Sequence, residues 1–443
     1  MSDSTIYALS TVFGKSGVAV IRISGNEVLH ILSKMTDINI ATIKPRRAYF
    51  CTITRKESSE PLDKAIVLYF KSPHSYTGED IAEIQCHGSK AVLNSVFKEL
   101  GMFENVRLAE PGEFSKRSFY NHKMDLTEAD GLADLIDAET SEQQKYALRQ
   151  MGGNLKNLYS SWRNDLVKIL SYLEAYIDFP EENIPENLYA DILNTVFKVK
   201  CDIEEHLKGN NVNERLRNGF RIVIAGKTNA GKSSLVNALI KRNAVIVSDI
   251  EGTTRDSIDI SLDIGGYPVV ITDTAGIRIT NNPIEQQGID IALQKIEEAD
   301  IVIALYDASN ENTDFSYVKN NNILYVANKI DKLTDEQKEK LEKKKHILIS
   351  AKFNKGIDRL INNILDIIKD RFATSSNCLI TRTRYRRALE ACLENLSVFS
   401  LDKEIELAAE DIRLACRQIG KITGTVEVAE VLDNIFGNFC IGK

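Results

Sequence analysis

The chain has 443 residues, of which 43% are hydrophobic and 27% charged, a composition typical of globular proteins. That length exceeds what one hydrophobic core usually serves, so we expect about three domains. The formal net charge of −7 argues against indiscriminate nucleic-acid binding, although it leaves room for a local basic surface.

The apolar runs, such as residues 65–70 and 301–306, are too short to span a bilayer, and we expect no membrane association. The first fifteen residues carry one basic side chain, so no secretory or transit signal is visible. Seven cysteines without a C-x-x-C pair argue against a zinc ribbon or a disulfide framework. These features predict a cytoplasmic protein.

Residues 1–120 predict a compact α/β or α+β domain. Apolar alternation predicts strands at 18–23, 65–69 and 82–86 and a helix at 90–100. Three polar segments with Gly or Pro predict loops, at 75–80, 86–89 and 107–114. By themselves they suit surface turns and a functional site equally well.

From residue 121 the apolar period changes to helical. Apolar residues recur three or four positions apart from Leu148 to Tyr176, which predicts one long helix that packs against other helices. The segment 179–185 contains two prolines and ends it. Residues 190–207 predict another helix and 209–213 a linker.

Residues 219–372 alternate strand and helix, which predicts a parallel sheet with helices on both faces. Helical spacing returns at 386–399 and 405–419. We therefore predict an α/β domain inserted into a helical domain, with boundaries at 1–120, 121–212, 213–376 and 377–443.

The β-branched run 222–224 ends at Gly226, and an amphipathic helix follows, in the pattern G-x-x-x-x-G-K-[ST]. Glycines let backbone N–H groups surround a phosphate, and the helix N-terminus favours its negative charge. Lys232 would reach the β/γ-phosphates, and the Ser233 hydroxyl would bind Mg²⁺. The predicted phosphate-binding residues are Asn229, Ala230, Gly231, Lys232, Ser233 and Ser234.

Three further motifs follow predicted strands, at the sheet edge where open α/β sheets bind ligands. The Asp331 carboxylate can accept two hydrogen bonds from guanine that adenine cannot offer in that pattern. In this order the motifs indicate a guanine-nucleotide domain that binds GTP or GDP. Their residues are Asp273, Thr274, Ala275 and Gly276, then Asn328, Lys329 and Asp331, then Ser350, Ala351 and Lys352.

Between the phosphate loop and the next strand lies a segment expected to close on the nucleotide: Ser248, Asp249, Ile250, Glu251, Gly252, Thr253 and Thr254. Thr254 is our choice for the threonine that binds Mg²⁺, and Thr253 is the alternative. Position 277 is Ile, which cannot orient water as the glutamine of Ras-type enzymes does. The Asn229 amide oxygen could bind a monovalent cation beside the phosphates; a turn-stabilising role for Asn229 is equally supported.

In these and further motifs, the chain resembles the tRNA-modification GTPase family MnmE (TrmE), within the TrmE-Era-EngA-YihA-Septin-like superfamily, over essentially its whole length. The terminal Cys-Ile-Gly-Lys is the most specific motif. The motifs are residues 17–25, 75–80, 83, 87–88, 110–114, 123–126, 134–140, 229–234, 252–256 and 440–443. Thr228 and Ile279 depart from the family pattern.

The resemblance implies a multidomain protein with an N-terminal tetrahydrofolate-binding domain, a helical domain and an inserted Ras-like G domain. It implies a homodimer formed through the N-terminal domain. The folate contacts it implies are Arg22, Glu83, Lys123 and Lys443. It implies K⁺ ligands at Asn229, Ser248, Ile250 and Thr253, and catalysis by Glu285, Lys232 and Thr254, with Glu285 orienting the attacking water.

The resemblance also implies a partner, the flavoprotein MnmG (GidA), in a heterotetramer or larger complex. Together they would add an aminomethyl-type group to the wobble uridine of certain tRNAs, with a (formyl-)tetrahydrofolate one-carbon unit. Two alternatives stay open: a ribosome- or RNA-assembly GTPase that acts as a timer, and a folate-dependent transferase with a regulatory G domain. Cys440 is expected near a site without a catalytic role, and the basic run 382–387 is expected to be a solvated helix face.

Overall fold

The computed structural model describes residues 4–179, 186–208, 210–245, 259–273, 283–310, 314–373 and 382–426, together with 432, 435–437, 439, 440 and 442. The chain divides into two compact units. The first comprises Met1–Ala133, Gln150–Ser160 and Gly420–Lys443, and the second comprises Asp134–Arg149 and Ser161–Ile419.

The first unit is built on a sheet with the strand order β3-β4-β5-β2-β1-β6. Its strands are Thr5–Leu9 (β1), Ser16–Ser24 (β2), Ala48–Thr54 (β3), Pro61–Phe70 (β4), Ile81–Gly88 (β5) and Val106–Leu108 (β6). All neighbouring pairs are antiparallel except β1 with β6. The helices are Val28–Met35 (α1), Lys90–Leu100 (α2), Glu113–Tyr120 (α3) and the first part of Leu126–Ile136 (α4), whose residues from Asp134 onward belong to the second unit. The apolar faces of α1 and α2 are buried with the inward residues of β2, β4 and β5 in one core.

The three strands and the helix predicted in this region are confirmed, but the predicted loop at 86–89 is wrong. The predicted loop at 107–114 is right only for residues 109–112, because residues 107–108 belong to β6 and α3 begins at Glu113. Residues 86–88 belong to β5, because β5 stays paired with β2 as far as Gly88. Ser89 begins α2, and its hydroxyl accepts a hydrogen bond from the Val92 N–H.

The helices that follow are Ser141–Met151 (α5), Asn154–Asp178 (α6), Glu186–Lys208 (α7) and Asn210–Asn218 (α8). The single long helix predicted from Leu148 to Tyr176 is wrong. The helix is interrupted at residues 152–153, where Gly153 has φ +81°. Leu148 is half exposed, so the buried stripe begins only at Leu155. The predicted linker at 209–213 is also wrong, since residues 210–213 lie in α8.

The second unit contains a sheet with the order β13-β12-β11-β7-β10-β9-β8. Its strands are Phe220–Ala225 (β7), Ala244–Val245 (β8), Asp259–Ile264 (β9), Tyr267–Asp273 (β10), Ile301–Asp307 (β11), Ile323–Asn328 (β12) and Ile347–Leu348 (β13). The five strands from β13 to β10 are parallel, as predicted, whereas β9 and β8 are antiparallel additions at one edge.

The helices around this sheet are Lys232–Arg242 (α9), Pro283–Glu298 (α10), Asp335–Lys343 (α11) and Ile357–Ala373 (α12), and Thr383–Val398 (α13) and Ile405–Thr423 (α14) follow. The strands β7 and β11 are almost entirely buried, as suits central parallel strands. Within the described part of the chain, no helix is both long and apolar enough to cross a membrane.

Candidate functional site: a nucleotide pocket and a paired-charge site

The phosphate loop joins β7 to α9 as the sequence predicts. Ile222 and Ile224 anchor β7 in the core, and Gly231 begins α9 with φ +96°. A Cβ at Gly231 would lie 2.3 Å from the Asn328 side-chain nitrogen, so no larger residue fits there. The loop is therefore held in a shape that brings backbone N–H groups to the helix N-terminus.

Lys232 is 9% exposed, and its Nζ donates to the backbone oxygens of Gly226 (2.9 Å) and Lys227 (3.4 Å). Burial lowers the pKa of Lys232, and the nearby Asp273 carboxylate opposes that shift. Burial likewise raises the pKa of Asp273, opposed by Lys232. The Asp273 Oδ1 atom is buried and accepts no hydrogen bond from any residue that the structure describes. An unsatisfied carboxylate beside a loop lysine suits a Mg²⁺–phosphate group.

Asn328 connects the phosphate loop to the base-binding segments. Its amide nitrogen donates to the Ala230 backbone oxygen (2.9 Å), and its Oδ1 accepts from the N–H of Ala351 (3.0 Å) and of Lys329 (2.8 Å). The side chain is almost fully buried. Asn328 therefore links three predicted motifs through its side chain, and its predicted role in nucleotide binding stays a prediction.

Lys329 bridges the phosphate loop and the end of β11. Its Nζ donates to the Asn229 backbone oxygen (2.7 Å) and to Asp307 Oδ2 (2.8 Å). Burial alone would raise the pKa of Asp307, but the hydrogen bonds from Lys329 and Ser309 hold that pKa at about 2. Asp307 is therefore ionised at neutral pH, where it accepts the hydrogen bond from Lys329.

Asp331 is oriented by Ser350, whose hydroxyl donates to Asp331 Oδ1 at 2.6 Å. That hydrogen bond lowers the pKa of Asp331, so the carboxylate is ionised and its other lone pairs are available as acceptors. Lys352 is exposed, with its Nζ 5.3 Å from the centre of the Phe353 ring. The structure thus brings together the predicted base-recognition residues.

A cavity of about 290 Å³ lies beside the loop. It is lined by residues 227–230 and 305–307 with Asn310, Asp314, Phe315 and Tyr317. Asp307 is not among the site residues predicted from the sequence, although its position at the end of a strand could have identified it. Asp307 ends β11 at the same carboxyl edge as the other motifs, and the predicted strand stopped one residue short of it.

Several predicted residues lie outside the described residues: Ser248, Asp249, Ile250, Glu251, Gly252, Thr253, Thr254, Thr274, Ala275, Gly276 and Lys443. Glu285 belongs to the backbone of α10, but its side chain is not among those described. Their predicted roles stay predictions.

In the first unit, Arg22 on β2 and Glu83 on β5 are cross-strand neighbours. The guanidinium donates to Glu83 Oε1 from Nε (3.1 Å) and Nη2 (2.9 Å). The guanidinium carbon lies 5.3 Å from the centre of the Tyr76 ring and 5.7 Å from that of Phe114. The two predicted folate contacts therefore form an ion pair with each other between aromatic rings.

The segment 75–80 is an ordered, packed loop rather than a surface turn. Thr77 is fully buried, and its hydroxyl shares a 2.7 Å hydrogen bond with Ser24. Arg117 pairs with Glu79 at 3.0 Å. Asn121, two residues before the predicted contact Lys123, donates to the Thr77 backbone oxygen (2.7 Å). Lys123 is exposed and lies two residues after Asn121, which anchors the loop.

The carboxyl-terminal tail contacts the end of β1, where the Ser10 hydroxyl donates to the Gly442 backbone oxygen (3.1 Å). Cys440 is exposed. The prediction of a solvated face for residues 382–387 is wrong for Arg382, which is 17% exposed and pairs with Asp134 at 2.8 Å. It is wrong for Arg386 also, which is partly buried and lies 3.5 Å from Glu214.

The fold and the nucleotide pocket define a guanine-nucleotide-binding P-loop protein. A family model described as the MnmE helical domain matches residues 126–440, and another, the GTP-binding protein TrmE N-terminus, matches residues 5–123. Proteins named tRNA modification GTPase MnmE from Rickettsia bellii and Rickettsia prowazekii are 46% and 45% identical over 445 residues, covering 99% of this chain and 100% of each relative.

The chain therefore belongs to the MnmE family of tRNA-modification GTPases, and it is an enzyme that hydrolyses GTP. Among solved structures, Era from Aquifex aeolicus bound to GDP and AlF4⁻ is 23% identical and covers 42% of this chain and 68% of that one, with a TM-score of 0.28. Likeness at that level supports no statement about function.

Proposed function

We propose that the chain is a potassium-stimulated GTPase that modifies the wobble uridine of certain tRNAs together with the flavoprotein MnmG (GidA). The observation that carries this proposal is the full-length similarity to proteins named tRNA modification GTPase. GTP hydrolysis would drive association of two G domains and reorganise the complex. The product would be an aminomethyl or carboxymethylaminomethyl group on the uridine, and the work would take place in the cytoplasm.

The described residues fit Mg²⁺ and a triphosphate. Asp273 presents its buried, unsatisfied Oδ1, and Ser233 is exposed in the first turn of α9. Lys232 holds its ammonium on loop carbonyls, which are weaker partners than phosphate oxygens. Bound Mg²⁺ neutralises charge that develops on the phosphates. Ser233 and Thr254 would be its protein ligands, with Asp273 acting through water.

Asn229 supports a potassium site. It has φ +67°, is exposed, and its side-chain amide makes no hydrogen bond to any residue that the structure describes. Its oxygen is therefore free to bind a cation beside the phosphates, with Ser248, Ile250 and Thr253 as further ligands. A bound cation would supply positive charge beside the phosphates, while Glu285 rather than position 277, an Ile, would orient the attacking water.

The potassium role is tested by measuring GTP turnover at saturating nucleotide in K⁺ and in Na⁺. We expect faster turnover in K⁺, and we expect Asn229→Ala to remove the difference. Asn237→Ala, on the exposed face of α9, is the matched control. Equal rates in both salts for the parent protein would refute the cation role. Glu285→Ala should keep nucleotide affinity and lose turnover.

The proposed folate site uses Arg22, Glu83, Lys123 and Lys443. Arg22 would leave Glu83 to bind a carboxylate of the folate tail, and the released Glu83 carboxylate would accept hydrogen bonds from nearby N–H groups of the folate. Tyr76 and Phe114 supply flat apolar surfaces beside the Arg22 guanidinium. Bound folate would supply the one-carbon unit.

Exposed apolar side chains support a homodimer formed through the N-terminal sheet. Phe50 is 75% exposed and pairs in register with Ile66, which is 39% exposed. Val18 on β2 is also exposed. The adjacent Phe50 and Ile66 form a small exposed apolar patch, which we expect to lie in the dimer interface. Sedimentation of the full chain should give a dimer, and Phe50→Asp should shift it toward monomer.

The whole proposal is tested by reconstitution. The chain, MnmG, tRNA, GTP, K⁺ and a reduced folate should together yield modified wobble uridine. Omission of the chain should abolish the product. Co-purification with ribosomal subunits instead of the flavoprotein would favour the assembly-factor alternative. Folate-dependent transfer that survives deletion of residues 213–376 would favour the transferase alternative.

A further inference from the structure

The chain passes twice between the helices of the second unit and its sheet. On the way in, α8 leads directly into β7. On the way out, α12 is followed by α13, which Arg382 precedes as its N-cap residue. Basic residues therefore flank both connections, on α8 in the first and at the start of α13 in the second.

The Asp134 carboxylate forms an ion pair with an arginine beside each of these two connections. Asp134, near the end of α4, lies 3.2 Å from Arg217 Nε of α8 and 2.8 Å from Arg382 Nη2. The Asp134 side chain is 9% exposed. A buried ion pair of this kind fixes geometry, because either partner left alone would be an uncompensated charge.

A second carboxylate repeats the arrangement from the sheet side. Asp300, just before β11, pairs with Arg215 of α8 (3.0 Å) and with Arg371 near the end of α12 (3.4 Å). It also accepts from the Arg221 backbone N–H (2.8 Å). Two arginines on α8 thus face two acids, one among the helices and one at the sheet.

The start of α5 extends this contact to the turn between β9 and β10. The Glu142 N–H donates to the Gly266 backbone oxygen (3.1 Å), and a Cβ at Gly266, which has φ +91°, would lie 2.5 Å from the Ser141 hydroxyl. The Gln143 side-chain amide donates to the Arg217 backbone oxygen (3.3 Å). The turn and the ion-pair cluster are therefore supported by three consecutive residues.

The other end of the β9–β10 hairpin belongs to the nucleotide site. β10 ends at Asp273, and the Thr272 hydroxyl donates to Asp259 Oδ1 (2.7 Å), which ties the two strand ends together. In sequence, β9 follows directly on residues 248–258, and β10 is followed directly by 274–276. A shift of the hairpin would therefore move Asp273.

We propose that Asp134 is a positioning residue for GTP hydrolysis. By holding Arg217 and Arg382, it fixes the start of α5 against the β9–β10 turn, and the hairpin in turn places Asp273. Two paired strands and a buried cluster form a continuous chain of contacts from Asp134 to Asp273. This proposal rests on GTP hydrolysis by the chain alone, so it stands or falls independently of potassium, folate and the flavoprotein.

The test is Asp134→Asn in the full-length protein. We expect kcat for GTP to fall about tenfold or more, as for a small misplacement of catalytic groups, while KM and GDP affinity stay within about twofold. Hydrogen exchange of the GDP-bound protein should accelerate at amides 259–273 and stay unchanged at β11 and β12. Asp411→Asn is the control, because the Asp411 side chain is also mostly shielded (17% exposed) and pairs with Lys403 (2.9 Å) on a neighbouring loop.

An unchanged kcat in Asp134→Asn would overturn the proposal. So would a parallel loss of kcat and nucleotide affinity with faster exchange throughout the sheet, which is the behaviour of a merely structural residue. Gln143→Ala guards against misfolding of the first variant. It removes the side-chain hydrogen bond to the Arg217 backbone oxygen and leaves both ion pairs of Asp134 in place. It should show the same loss of kcat in smaller measure, and full activity in this variant would count against the proposal.

Discussion

The nucleotide site of the second unit and the Arg22 site of the first unit both bring charged side chains together, but in opposite ways. In the nucleotide site, Lys232 rests on backbone carbonyls and Asp273 keeps a buried oxygen without a described partner. In the first unit, Arg22 and Glu83 already satisfy each other. One site is prepared for a ligand, whereas a ligand at the other must compete with an existing ion pair.

The difference follows from strand direction. Parallel strands place their carboxyl ends at one sheet edge, so short motifs after successive strands converge there around a ligand. Antiparallel neighbours place side chains directly opposite each other, and unlike charges then pair. We therefore expect substitutions in the nucleotide site to act mainly on ligand binding and turnover, and substitutions at Arg22 to act on folding and binding together.

The largest effect should come from Asp331→Asn. Two charge-assisted hydrogen bonds to guanine, each worth about 2 kcal/mol, would be lost, which lowers GTP affinity about 10³-fold. Xanthosine triphosphate, which presents a carbonyl in place of the exocyclic amine, should bind better than GTP to this variant. Titration with fluorescent analogues of both nucleotides measures it. Asp335→Asn, an exposed acid four residues on, should leave both affinities unchanged.

Lys232→Ala should reduce kcat/KM for GTP about 10²-fold or more, the scale seen when one charge-stabilising donor is removed from a preorganised site. Steady-state phosphate release checks this. Lys241→Ala on the same helix is the control, since Lys241 is exposed. Near-normal turnover in Lys232→Ala would contradict the contrast drawn between the two sites.

Asp307→Asn tests how much the Lys329–Asp307 ion pair of the nucleotide site stabilises the fold. Burial raises the pKa of Asp307, but the bonds from Lys329 and Ser309 outweigh that effect and hold the pKa at about 2. Because this pKa is below the ordinary value of 3.8, the carboxylate stabilises the fold above about pH 4. By calorimetry at pH 7, the melting temperature of the variant should be lower than that of the parent protein. The difference should shrink as pH falls from about 4 toward 2.

Arg22→Ala should give the smallest effect on ligand binding, about tenfold weaker binding of a reduced folate by isothermal titration, because Arg22 must leave Glu83 to bind a carboxylate. The variant should also melt at a lower temperature, since Glu83 loses its partner. Lys98→Ala, an exposed lysine on α2, is the control. Absence of binding heat from the parent protein would remove the folate proposal and leave the ion pair as a structural feature.

Residue spacing was sufficient for the nucleotide loop, for Asn328 and Asp331, and for most strands and helices. Each of these is encoded locally, by a turn residue, a capping residue or an apolar period over a few residues. The helix break at Gly153 was also present in the sequence as a Gly-Gly pair, but the continuing apolar period obscured it.

The ion pairs were decided by the tertiary structure alone. Arg22 and Glu83 are 61 positions apart, and Asp134 and Arg382 are 248 positions apart, so no local pattern marks them as partners. A basic run at a helix start looks the same in sequence whether it faces solvent or an acid from another helix. Local periodicity determines which face of an element is buried, whereas the partner of a charged side chain depends on which distant segment the fold places opposite it.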